Sequence, residues 1–183
     1  MHNIKKVSIF FRVLLQLAFV LLPIITIICW INAPNPVIDS QNLSLSFLPN
    51  GLDKLKILHE LSLSTKIFGC LLSLIPTGIN MLVLYFLIKL FELYQQGEIF
   101  SSQNVKYIRN TAYGLLLGQV VNPFYQGFLS ALLTWQNPHG TRIAEVSLSG
   151  TNIGIVLAAL LIILISWIMA EGCKLREEQQ LTI

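Results

Sequence analysis

The sequence predicts an all-α membrane protein, a bundle of four transmembrane helices with both ends in the cytoplasm. Three observations predict it. Charged residues make up 11% of the chain and hydrophobic ones 54%, with a mean hydropathy of +0.69. Soluble domains carry roughly 25% charged residues, so this chain cannot coat itself for water. The few charges cluster, and none occurs from Val13 to Trp30, Ile67 to Ile88, Asn110 to Thr141 or Val146 to Ala170. The basic residues are also shared unequally between the connecting segments.

A helix crosses the ~30 Å hydrocarbon layer in ~20 residues. Each gap is about that long. Backbone amides in lipid must pair within their own segment, which favours helices. Barrel strands would be shorter and would alternate polar with apolar residues. The expected spans are about 13–31, 67–90, 110–133 and 150–170. They leave outer loops at 32–66 and 136–145, an inner loop at 91–109 and a cytoplasmic tail at 171–183, all in one domain.

The first span carries Pro23. Its alternative reading is a signal peptide, with Lys5, Lys6 and Arg12 as the basic region. The apolar run exceeds a typical signal core, and Ile31-Asn32-Ala33-Pro34 is a poor cleavage site. The loop after it is turn-rich at Ala33-Pro34-Asn35-Pro36. Leu43, Leu45 and Phe47 then alternate with Ser44 and Ser46, which is strand periodicity. From Leu52 the period lengthens, with Leu55, Leu58 and Leu61 about three apart, as in an amphipathic helix lying on the membrane surface.

The second span carries Pro76 and the third Pro123. Proline removes a backbone donor, so each is expected to mark a packing kink, with a gating hinge as the other reading. Between these spans, Gly97 suits a left-handed helix cap and Ser101 or Ser102 a helix N-cap. Gly114 and Gly118 in the third span, and Gly150 and Gly154 at the start of the fourth, have the spacing that lets helices approach closely. Internal packing is the expected use, and a dimer face the alternative. Residues 142–148 alternate in part after the turn at Asn137-Pro138-His139-Gly140. Paired with 43–48, they would form a small extracytoplasmic β-cap.

Eight of the twelve lysines and arginines fall on one side: Lys5, Lys6, Arg12, Lys89, Lys106, Arg109, Lys174 and Arg176. Lys54, Lys56, Lys66 and Arg142 fall on the other. The richer side is expected to be cytoplasmic. No basic patch with interleaved aromatics suggests direct nucleic-acid binding.

No motif points to catalysis. His2, His59 and His139 are scattered, without metal-ligand spacing, and no phosphate loop or nucleophile motif occurs. The chain is therefore expected to be no enzyme and to need no cofactor or metal. Cys29 and Cys70 lie near the outer ends of adjacent helices. Buried free thiols are expected there, although a disulfide fits the geometry; Cys173 faces the reducing side. Asn80, Gln119 and Asn122 stand at middle depth as bundle-core polar residues. They suit interhelical hydrogen bonds, or the lining of a solute path. Within the spans there is no charge, which weakens the case for transport.

Three stretches carry a resemblance. They are Leu93-Tyr94-Gln95-Gln96-Gly97-Glu98-Ile99-Phe100 with Asn104-Val105, then Leu133 through Gly140, then Ile168 through Leu175 with Glu177-Glu178 and the ending Leu181-Thr182-Ile183. Together they resemble the YoaS-like family of bacterial four-span membrane proteins, a domain of unknown function. The resemblance implies the bacterial inner membrane and, for some members, a small helix-turn-helix regulator as partner. It supplies no catalytic residue. The matching positions Gly97, Glu98, Phe100, Asn104, Glu171 and Glu178 lie at cytoplasmic borders and suit either partner docking or structural capping. The expected function is a non-enzymatic sensor or partner-binding protein, able to form homo-oligomers. A small channel or transporter subunit is the alternative.

Overall fold

A computed structural model describes residues 2–31, 61–98, 101–138, 142, 144, 146 and 150–181. The described chain forms α1 (His2–Ile31), α2 (Leu63–Gln96), α3 (Ser102–Thr134) and α4 (Gly150–Leu181). Each contains 30 to 34 residues, hence about 45–50 Å of helix, longer than the ~30 Å of hydrocarbon. Each helix therefore extends beyond its expected span at one end or both. Backbone pairing carries the helices onward at the ends, and α4 runs on through the charged Glu171–Arg176 segment.

Each helix packs on its neighbour in sequence: α1 on α2, α2 on α3 and α3 on α4. No other pair among the described residues shares a comparable interface. The helices run up and down, so α1 begins beside the end of α2. The end holding Arg12, the α2–α3 turn and the end of α4 is called the inner end below, and the opposite one the outer end.

Side chains are distributed in the reverse of a water-soluble fold. Buried positions include Ser8, Thr26, Ser73, Thr77, Asn104, Gln126, Ser130, Thr134 and Ser166, while Leu17, Ile24, Leu71, Phe124, Leu161 and Ile168 are exposed. In lipid no hydrophobic effect draws leucines together. Association rests instead on small residues and hydrogen bonds, and apolar surface faces outward.

Among the described residues, three helical segments are long and apolar enough to cross a membrane: Lys5–Ile31, Leu63–Gln96 and Gly150–Arg176. The third helix falls short because it carries Gln119, Asn122 and Gln126. Its polarity is turned inward, however. Thr111, Gln126, Ser130 and Thr134 are buried, while Tyr113, Leu117, Val120, Phe124 and Phe128 form the exposed face.

Pro23, Pro76 and Pro123 all lie inside continuous helices. Gly114 does bring two helices together: a Cβ there would lie 2.7 Å from Val83 Cγ2. Gly118 meets Ile79 at an ordinary 3.6 Å. At Gly150 and Gly154 nothing among the described residues lies within 4 Å, so the expectation of internal packing gains no support there. The face that α4 buries instead runs through Ala159, Ser166 and Cys173, seven residues apart. A helix buries one stripe, and these small side chains occupy it.

Among the described residues there is no strand. Arg142, Ala144 and Val146 belong to no strand, so the β-cap gains no support from them. The segment 43–48 and the surface helix expected from Leu52 lie outside the described residues.

Candidate functional site

Near the outer end, three helices meet through hydroxyls. Trp30 Nε1 of α1 donates to Ser73 Oγ of α2 at 3.0 Å, and Ser73 Oγ shares a 2.8 Å hydrogen bond with Tyr125 OH of α3. Gly69, one turn before Ser73, leaves the room that the Trp30 indole fills. Thr26 and Thr77 bring their hydroxyls within 3.3 Å of each other, but each donates its proton to a carbonyl one turn back, Leu22 and Ser73 respectively. A hydroxyl has one proton to give, so this pair contributes packing more than a strong bond. Tyr125, Leu129 and Leu133 form a buried apolar cluster that continues toward the outer end, with Trp30, Leu61 and Leu72 against it.

The mid-depth amides do not converge. Gln119 and Asn122 are half-buried, and the Gln119 Oε1 atom is covered with no hydrogen-bond partner. Asn80 is exposed, contrary to its expected place in the core. Along α2 the buried positions follow Thr65, Gly69, Ser73 and Thr77, then continue at Val83, Leu90 and Leu93. The stripe moves around the helix just past Pro76, and Asn80 falls in the gap. Gln126, which the sequence reading passed over, is buried instead.

At the inner end α1 is clamped to α2. Arg12 donates to Gln95 Oε1 at 2.9 Å and to Glu92 Oε1 at 3.2 Å, and Lys89 pairs with Glu92 Oε2 at 2.9 Å. Phe11 stacks on Phe91 at 5.4 Å beside them. Read from sequence, Arg12 and Lys89 were topology charges only. A carboxylate three residues after a lysine at a span border was the available signal for the clamp.

The α2–α3 turn is built by the residues of the first recognisable motif. Gly97 adopts φ +89° and closes α2, with Glu98 N–H donating to Leu93 O at 3.1 Å. Ser101 caps α3 by accepting from Asn104 N–H at 3.3 Å. The Asn104 side chain is fully buried and donates to the Glu98 carbonyl, tying both ends of the turn. Glu98 is exposed. Phe100 lies outside the described residues. Glu171 and Glu178 are exposed on α4, with Lys174 3.5 Å from Glu171. Gly97 and Asn104 thus shape the turn, whereas Glu98, Glu171 and Glu178 present charge at the same end of the bundle.

The Trp135 motif builds the outer α3–α4 turn. Asn137 is buried and its carbonyl accepts from Arg142 Nε at 3.2 Å, while the Arg142 guanidinium lies 5.3 Å from the Trp135 ring centroid. Cys29, Cys70 and Cys173 are free thiols. Among the described residues no group of three or more His, Cys, Asp or Glu is placed to hold a metal ion. The profile of a family described as a protein of unknown function (DUF2975) matches residues 41–183. No curated protein and no solved structure matches the chain.

Proposed function

The chain belongs to the DUF2975 family of unknown function, and we propose that it is a four-span protein of the bacterial inner membrane that binds a cytoplasmic partner without catalysis. The inward-turned polarity of α3 supports a fourth crossing. A helix flanked on both sides can carry amides if its lipid-facing side stays apolar. Four crossings put both ends on one side, and the bias of basic residues makes that side cytoplasmic.

The observation that carries the docking reading is the exposed acidic set at the inner end. Glu98 is held on a turn fixed by Gly97 and Asn104, with Glu171 and Glu178 displayed on α4. These carboxylates stand among the basic residues of the inner end, so a partner would meet both signs of charge there. The resemblance to YoaS-like proteins adds a candidate, a small helix-turn-helix regulator. The channel reading has one observation in its favour, the unpartnered Gln119 oxygen. It lacks a converging polar path, since Asn80 faces outward.

The test is affinity purification of the full chain in mild detergent, with mass spectrometry, for wild type and Glu98→Lys with Glu171→Lys. A stoichiometric soluble protein that is lost from the double variant supports docking. Absence of any such protein, with solute flux through reconstituted liposomes, would replace it with the channel reading.

A further inference from the structure

Between α2 and α3 a groove of about 300 Å³ opens on the outside of the helix pair, lined by Leu82, Phe86, Asn110, Tyr113, Gly114 and Leu117. Gly114 is among its lining residues, and its missing side chain lets Val83 of α2 approach α3 closely. Its walls are apolar and aromatic except for Asn110 and the Tyr113 hydroxyl. On α2, Leu82, Phe86 and Lys89 follow one another four and three residues apart, so they share a helix face. On α3, Lys106, Asn110, Tyr113 and Leu117 do the same. Both lysines therefore stand at the inner mouth of the groove, with Tyr107 against Phe86 at 6.4 Å closing its side. Lys89 shares Glu92 with Arg12, so two cations face one carboxylate there. Lys106 is exposed and forms no ion pair among the described residues.

We propose that this groove binds an anionic phospholipid, with one acyl chain along Leu82, Phe86, Tyr113 and Leu117 and the headgroup phosphate at Lys106 and Lys89. The proposal rests on α2 and α3 both lying in the membrane. Charge decides the occupant: an apolar trough ending in cations at the cytoplasmic border matches the chemistry of an inner-leaflet lipid. Asn110 adds a side-chain donor one turn deeper than Lys106.

The experiment is native mass spectrometry of the full chain in detergent, titrated with phosphatidylglycerol or phosphatidylcholine of identical acyl chains. Phosphatidylglycerol is expected to bind more tightly. Lys106→Gln should weaken it about fivefold and leave phosphatidylcholine unchanged. Leu117→Trp, which fills the groove, should weaken both. Equal binding of the two lipids, or no effect of Lys106→Gln, would overturn the proposal. Displacement by glycerol phosphate at comparable concentration would also overturn it, in favour of a soluble phosphate ligand. No partner protein is present in this measurement, so its failure is separate from a failure of partner docking.

Discussion

The Trp30 indole occupies the space a side chain at residue 69 would need: a Cβ on Gly69 would lie 2.1 Å from Trp30 Cη2. The same indole reaches Ser73 with its N–H. One glycine thereby sets both the α1–α2 spacing and the hydrogen bond that continues to α3.

Gly69→Ala is expected to destabilise the protein by about 1–3 kcal/mol, the usual cost of overpacking. Gly78, where a Cβ would meet nothing among the described residues within 4 Å, is the control. Gly78→Ala should be neutral or stabilising, because alanine loses less backbone entropy in a helix. Thermal unfolding in detergent compares the two. Equal stability of both variants would mean the indole is not held against Gly69.

Loss of the Ser73 hydroxyl should cost more than loss of the Tyr125 hydroxyl. Tyr125→Phe removes one bond and leaves Ser73 its Trp30 donor. About 0.6 kcal/mol is expected, near the average for bonds between membrane helices. Ser73→Ala strands two partners, the half-buried Trp30 N–H and the buried Tyr125 hydroxyl, which costs about 1–3 kcal/mol. The reversed order would show that Tyr125 has another acceptor.

Gly97→Ala should strain the inner turn by about 1–2 kcal/mol, since φ +89° is unfavourable for an L side chain. The docking account predicts weaker partner recovery along with this loss, because Glu98 follows directly on the turn. Limited proteolysis between α2 and α3 reports the turn, and co-purification the partner. Unchanged co-purification from a loosened turn would separate Glu98 from docking.

Much of this arrangement was legible in the sequence. Each expected span lies within one helix, and Gly97 and Ser101 cap as their chemistry suggests. Rotation about the helix axes was not legible. Both faces of an apolar span can be leucine-rich, so periodicity does not say which face meets a neighbour. Asn80 and the Gly150–Gly154 pair were misplaced for that reason. Tyr125 and Trp30 are not legible as hydrogen-bonding partners, because an aromatic in an apolar run reads as bulk although each carries a polar tip. The helices also exceed the spans, since charge ends a crossing without ending a helix.

The fourth crossing is the central claim, and single-cysteine labelling tests it most directly. Cys29, Cys70 and Cys173 are first replaced, and Gln103→Cys or Gln136→Cys is introduced at exposed positions beside the two ends of α3. A membrane-impermeant maleimide is then applied to right-side-out vesicles. The account predicts labelling at residue 136, and at residue 103 only after permeabilisation. Labelling of both positions from the same side would contradict it, because α3 would then not cross the membrane.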